Sequence, residues 1–138
     1  MNSQSPIVKV FVYGTLKPGE SNYKNYCQGK TITEIKAYTR GQLYHLPFGY
    51  PGMTEGNQKI EGYLLSFNEP NILIDLDRLE NYQETRSAKL NDYYRQQVPI
   101  YNLYDEFIDR AWCYFMTKEK VTEFGGELLK DNCWYGKQ

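Results

Sequence analysis

The sequence contains only one histidine, His45, and three widely spaced cysteines, Cys27, Cys113 and Cys133. Zinc sites of mixed His and Cys ligands need clustered residues, and here these residues are scattered. The odd number of cysteines and the lack of a Cys-x-x-Cys pair predict free thiols rather than a disulfide framework. A catalytic Ser-His-Asp or Cys-His arrangement would have to use His45, which stands in a loop-like stretch, so a structural or surface histidine is favoured. The sequence thus predicts no metal site and no cofactor.

Basic residues are not in excess: the sequence contains 16 Lys and Arg residues and 17 Asp and Glu residues, which gives a net charge of -1. Nucleic-acid-binding proteins normally carry a basic excess, so the 14 tyrosines are interpreted as core and pocket residues. No apolar run approaches the roughly 20 residues of a membrane span, and the start lacks the pattern of a signal peptide. We therefore expect a cytoplasmic protein that binds neither nucleic acid nor membrane. The sequence carries no signal for an oligomeric state.

The chain of 138 residues has neither a linker-like stretch nor an internal repeat, which predicts one domain over residues 7–138 after a frayed tail, 1–6. Apolar, β-rich segments predict strands at 7–13, 34–46 with a break at Gly41, 60–67, 93–101 and 111–116, and the Gly and Pro content of 48–52 predicts a loop. The first is apolar almost throughout and is expected to be a central strand buried on both faces. Helices are predicted at 22–28 and, after Pro70, at 71–82. The sum is an α+β fold with a curved or barrel-like sheet.

A glycine-bearing turn follows the first strand, in Gly14-Thr15-Leu16-Lys17-Pro18-Gly19. It lacks the lysine and spacing of a phosphate-binding loop. Such a turn could serve only to reverse the chain, or it could hold a ligand against its backbone.

One carboxylate lies on the apolar side of the predicted helix 71–82. At about 100° per residue, Glu80 falls within about 40° of Leu76, at the centre of the apolar stripe. If Glu80 is buried or faces a cavity, its pKa should rise, which suits a general acid or base. Alternatively, Glu80 tilts to water at the helix end or pairs with Arg95. Arg95 could also bind a substrate carboxylate through its planar fork, although a structural ion pair is favoured.

The ordered set of motifs resembles the γ-glutamylcyclotransferase-like family, in particular its γ-glutamylamine cyclotransferase-like branch. The resemblance covers residues 7–116. It rests on four motifs: Tyr13-Gly14-Thr15-Leu16 with Gly19, Leu76-Asp77-Arg78-Leu79-Glu80-Asn81-Tyr82, Tyr93-x-Arg95, and Ala111-Trp112-Cys113-Tyr114. One departure is Asn81, where members often have glycine.

The resemblance implies a small mixed, barrel-like β-sheet with flanking helices. It also implies a pocket in which Tyr13, Gly14, Thr15 and Leu16 bind the substrate and Glu80 is the catalytic acid and base. The implied reaction is the intramolecular cyclisation of a γ-glutamyl amine or γ-glutamyl amino compound, with release of 5-oxoproline and the free amine and without a metal. Two alternatives stay open: a non-catalytic small-molecule-binding protein on the same fold, or a protein-interaction module that uses the tyrosines.

Overall fold

The structure, a computed structural model, describes residues 7–136, and six strands among these residues form one sheet. The strands are β1 (Val8–Val12), β2 (Thr31–His45), β3 (Pro51–Phe67), β4 (Tyr94–Tyr101), β5 (Phe107–Phe115) and β6 (Glu127–Leu128). The helices are α1 (Tyr23–Tyr26), α2 (Ile72–Leu79) and α3 (Lys118–Glu123), with a 3₁₀ turn at Ala88–Leu90.

The sheet has the strand order β3-β1-β5-β4-β2-β6, and β2 also pairs with β3, so the sheet closes on itself. The β1–β5 pair is parallel, whereas the other strand pairs are antiparallel. This mixed, closed sheet with short flanking helices confirms the predicted α+β, barrel-like fold.

Strand β1 lies between β3 and β5 and is buried on both faces, as its apolar sequence predicted. Val10 and Val12 belong to one cluster of buried side chains, together with Ile72 and Leu76 of α2. Phe11 belongs to a second cluster on the other side of the strand. The end of β1 is thereby fixed from both sides, which positions the turn that follows it.

Three predictions about the strands and helices differ from the structure. β2 continues through Gly41, where the pairing with β3 shifts from Gly41–Gln58 to Gln42–Thr54 and leaves residues 55–57 of β3 without a partner on β2, but the strand does not end. β3 begins at Pro51, much earlier than the predicted residue 60, because its polar first half pairs with the second half of β2. The helix predicted over 71–82 ends at Leu79.

The predicted frayed tail, residues 1–6, lies outside the described residues. None of the helices within residues 7–136 is long and apolar enough to cross a membrane.

Candidate active site

A cavity of about 170 Å³ opens where β1 ends, and it contains the five residues that the sequence singled out most strongly. Glu80 lies in its wall together with the segment from Tyr13 to Leu16. The other lining residues are Phe11, Val12, Asn22, Tyr50, Pro51, Leu79, Asp92, Tyr93 and Tyr114. The fold therefore brings the turn after β1 and the end of α2 to one cavity, although they are far apart in the sequence.

The turn after β1 is closed by bonds that leave its first amide groups unused. The Lys17 N–H donates to the Gly14 carbonyl (3.1 Å), and the Asn22 N–H donates to the Thr15 carbonyl (2.8 Å). The Asn22 side-chain amide also donates to Thr15 Oγ1 at 2.9 Å. Within residues 7–136, the N–H groups of Gly14, Thr15 and Leu16 have no hydrogen-bond acceptor. A run of consecutive backbone donors is thus free on the segment that lines the cavity, an arrangement suited to an anion.

Gly14 is required because the Pro51 ring packs closely against it, and not because of its backbone φ angle. Its φ is not positive, in contrast to Gly19 at the end of the turn, where φ is 91°. A Cβ atom on Gly14 would lie 2.8 Å from Cγ of Pro51 and 2.9 Å from its Cδ. The turn and the start of β3 therefore pack together in the cavity wall at a distance that only glycine allows.

The end of α2 directs Glu80 into the cavity. The Glu80 N–H donates to the Leu76 carbonyl at 2.9 Å, so Glu80 caps the helix. Asn81 then adopts a left-handed conformation with φ 54°, and the Tyr82 N–H donates back to the Asp77 carbonyl at 2.9 Å. This is the Schellman termination, in which glycine is the usual left-handed residue and asparagine the next best. It explains how asparagine replaces glycine at position 81.

The Glu80 carboxyl has no hydrogen-bond partner in the part of the chain that the structure describes. The buried tyrosine hydroxyls beside the cavity donate elsewhere: Tyr13 to the Tyr114 carbonyl (2.7 Å) and Tyr93 to the Pro51 carbonyl (2.6 Å). The suggested pair between Glu80 and Arg95 is absent from these residues. The carboxyl is therefore available to a molecule in the cavity.

Burial raises the pKa of Glu80 from its ordinary value of 4.5 to about 8, and the negative charges of Asp77 and Asp92 raise it further in the same direction. Removal from water disfavours the ionised form, and no cation compensates for it. A carboxyl with this pKa can both accept and return a proton near neutrality.

This shift makes the stability of the protein depend on pH. Between pH about 4.5 and pH about 8, the folded state keeps a proton on Glu80 that the unfolded state loses. The free energy of unfolding therefore decreases with rising pH, by up to about 1.4 kcal/mol per pH unit. The open cavity, which faces part of the side chain, should reduce this slope. We expect Glu80→Gln to match the wild type in urea unfolding below pH about 4.5 and to become progressively more stable than it up to pH about 8. An equal pH dependence in both proteins would contradict the buried, protonated carboxyl.

Arg95 lies outside the cavity lining and is engaged by Asp77. Its Nε and one terminal nitrogen donate to the two carboxylate oxygens at 2.8 and 3.1 Å, and its guanidinium also stacks 4.5 Å from the centre of the Trp112 ring. The Tyr114 hydroxyl donates to the same carboxylate at 2.6 Å. This arrangement favours the structural ion pair over a substrate-binding role, and it anchors α2 to strands β4 and β5.

His45 is the last residue of β2, so it lies within the predicted strand 34–46 and its description as loop-like was wrong. Its Nδ1 accepts a hydrogen bond from Nε1 of the buried Trp134 at 3.3 Å, which supports the structural interpretation. No cluster of His, Cys, Asp or Glu within residues 7–136 could hold a metal ion. The cysteines are free thiols, and Cys27 and Cys113 are buried.

Sequence reasoning missed several residues of the cavity wall. Tyr50 and Pro51 come from the segment 48–52, which was predicted to be a loop, and Asp92 lies between the predicted helix 71–82 and the predicted strand 93–101. Tyr93 carried a signal as part of the Tyr-x-Arg motif, but its place beside Glu80 depends on long-range strand pairing. Asn22 was interpreted only as the start of a short helix.

Comparison with known proteins identifies the family of this chain. The family model "Gamma-glutamyl cyclotransferase, AIG2-like" matches residues 10–135. The chain belongs to this family.

Two curated relatives carry cyclotransferase names. The "Gamma-L-glutamyl-butirosin B gamma-glutamyl cyclotransferase" of Niallia circulans is 40% identical over 73 residues, which is 53% of this chain and 46% of that protein. The "Putative gamma-glutamylcyclotransferase" of Vibrio cholerae is 38% identical over 72 residues, which is 52% of this chain and 61% of that protein. The matched part thus spans roughly half of these relatives.

Solved structures show the same fold at low sequence identity. An AIG2-like protein from Mus musculus superposes with a TM-score of 0.68 at 19% identity, covering 96% of this chain and 90% of that one. The protein ytfP from Escherichia coli superposes with a TM-score of 0.61 at 23% identity, covering 92% and 96%.

Proposed function

We propose that this protein cyclises a γ-glutamyl amine or γ-glutamyl amino compound and releases 5-oxoproline and the free amine. The observation that carries the proposal is the meeting, in one cavity, of free backbone donors at 14–16 and an unpartnered Glu80 whose pKa is raised to about 8. Membership in the family supports it. Glu80 is the proposed catalytic residue, and Tyr13, Gly14, Thr15 and Leu16 are the proposed substrate-binding residues.

The reaction needs little from the protein beyond positioning and charge stabilisation. The substrate's own α-amine attacks its γ-carbonyl carbon, so the new C–N bond closes a five-membered ring. The carbonyl oxygen becomes negative, and the bond from the same carbon to the leaving nitrogen then breaks. No water is consumed, and no nucleophile from the protein is required.

The free N–H groups of Gly14, Thr15 and Leu16 suit the anionic parts of this substrate. Preorganised backbone donors stabilise a developing oxyanion without having to reorient during the reaction. The same donors can bind the α-carboxylate of the glutamyl group. Among residues 7–136, no basic side chain lines the cavity, so the backbone N–H groups are the donors proposed for these negative charges.

Glu80 handles the proton in this proposal. In its ionised form it takes a proton from the α-ammonium group, which frees the nitrogen lone pair for attack. It then returns a proton to the leaving nitrogen, so that the amine departs without negative charge. A single carboxyl with a pKa near the working pH serves both steps.

The direct test is an assay for 5-oxoproline with a panel of γ-glutamyl amines, γ-glutamyl amino acids and glutathione, run beside calorimetric binding measurements. We expect binding and turnover of at least one compound. The same result is expected for a folded variant in which Cys27, Cys113 and Cys133 are all replaced, since the mechanism uses no thiol. Binding without turnover would instead indicate a non-catalytic small-molecule-binding protein. The absence of both binding and turnover would favour a protein-interaction module.

A further inference from the structure

The cavity contains a second carboxylate that the proposed chemistry does not use. Asp92 lines the cavity together with Glu80, and no lysine, arginine or histidine of the described residues 7–136 belongs to this lining. The glutamyl part of the substrate carries one ammonium group, on its α-carbon, and in the proposed mechanism Glu80 takes the proton from it. Asp92 therefore leaves the cavity with an uncompensated negative charge.

Asp92 is held in place by Asn81, the residue that departs from the family's usual glycine. The Asn81 side-chain amide donates to Asp92 Oδ2 at 3.1 Å, and the Asp92 N–H donates to the Asn81 carbonyl at 3.2 Å. Glycine could adopt the same left-handed backbone but has no side chain to make the first of these bonds. The substitution thus adds a support for the second carboxylate without disturbing the end of α2.

The loop between these two residues is also fixed. The buried Asn91 accepts hydrogen bonds from the Gln83 N–H at 3.0 Å and from the Arg86 side chain at 2.6 and 2.8 Å, and it donates to the Gln83 carbonyl at 3.2 Å. Arg86 donates in turn to the Asn81 carbonyl at 2.8 Å. Asp92 is therefore part of a preorganised wall and not of a loose loop.

Asp92 lies in a part of the cavity lining that is open to solvent. Asp92, Tyr50, Thr15 and Glu80 are partly exposed lining residues, whereas Tyr13, Leu16 and Tyr93 in the same lining are buried. With the α-carboxylate on the free N–H groups and the α-amine at Glu80, the part of the substrate left to face Asp92 is the amine to be released.

We infer that Asp92, positioned by Asn81, is a specificity residue that binds a positive charge on the leaving amine. The preferred substrates are then γ-glutamyl amides of diamines or of larger polycationic amines, rather than those of neutral amines. This inference rests on the proposed function and names the substrate class of the same site. A partly solvated ion pair of this kind, with a charge-assisted hydrogen bond, favours the cationic substrate by about tenfold.

The test compares two substrates that differ only in this charge: the γ-glutamyl amide of a short linear diamine, and the amide in which the terminal ammonium is replaced by a methyl group. For the wild type we expect kcat/KM to be about tenfold higher with the cationic substrate. Asp92→Asn keeps the shape and the bond from Asn81 but removes the charge, so the ratio should fall to about one. Asn81→Gly, which keeps the backbone conformation, should lower the ratio in part.

Asp75→Asn is the matched control, because Asp75 is a partly exposed carboxylate on α2 that does not line the cavity. It should leave the ratio unchanged. A wild-type ratio near one, or an Asp92→Asn variant that keeps the wild-type ratio, would overturn the role of Asp92 while the cyclotransferase proposal stands. Release of 5-oxoproline from neither substrate, nor from any compound of the panel, would overturn both.

Discussion

Replacement of Glu80 by glutamine is expected to lower kcat by about 10²-fold or more, the scale of general acid–base catalysis. Glutamine has nearly the same shape as glutamate but can neither accept the α-ammonium proton nor return one to the leaving amine. The fold and ligand binding should persist, because the Glu80 carboxyl makes no hydrogen bond to the described residues that the amide would break. Steady-state kinetics and calorimetry on one preparation separate the loss of turnover from any loss of binding.

The pH profile gives this prediction a second measurement. The ionised carboxyl is the base, so kcat/KM of the wild type should rise with pH through an ionisation near 8, the value to which burial raises the pKa of Glu80. The residual activity of the glutamine variant should lack this ionisation.

Glu84→Gln is the matched control, since it makes the same chemical change at an exposed side chain and should leave kcat unchanged. Asp77→Asn is not neutral, although Asp77 shares the helix with Glu80, because Asp77 accepts hydrogen bonds from both Arg95 and Tyr114. A Glu80→Gln enzyme with wild-type kcat would contradict the proton-transfer mechanism even within this family.

The sequence predicted correctly those features that a local pattern of apolar residues determines. The almost continuous apolar run of β1, interrupted only by Lys9, predicted a central strand, because a strand covered on both faces needs apolar side chains at successive positions. The helical period placed Glu80 on the apolar side of α2 and so raised burial as one of its alternatives. This placement of Glu80 holds although α2 ends one residue earlier, at Leu79, because Glu80 is the C-terminal cap and its N–H still bonds to the Leu76 carbonyl.

The remainder of the site depends on contacts that no local pattern encodes. Pro51 meets Gly14 only because the hairpin of β2 and β3 returns to the end of β1, and the polar first half of β3 gives no alternating signal. The sequence suggested Glu80 as the protein partner of Arg95, whereas tertiary packing brings Asp77 to it instead. Helix α3 was missed because it is short; its start at Thr117, whose side chain accepts from the Lys120 N–H, was the available signal.

Gly14→Val is expected to abolish binding of γ-glutamyl ligands while most of the fold remains. Even a Cβ atom would lie within 2.9 Å of the Pro51 ring, and the branched side chain would push the turn away from β3 and displace the free N–H groups of the cavity wall. Gly14→Ala carries only the first clash and should bind more weakly than the wild type but more strongly than the valine variant. Calorimetry in the Glu80→Gln background allows substrate binding to be measured without turnover.

The control for this series is Gly29→Ala. Gly29 has a positive φ of 79° and open space around its Cβ position, so alanine costs about 1–2 kcal/mol of backbone strain at a residue outside the cavity lining. It should lower stability without changing ligand affinity, which separates a general loss of stability from damage to the turn. If folded Gly14→Ala and Gly14→Val both bind with wild-type affinity, the close packing of the turn against Pro51 is not what shapes the binding site.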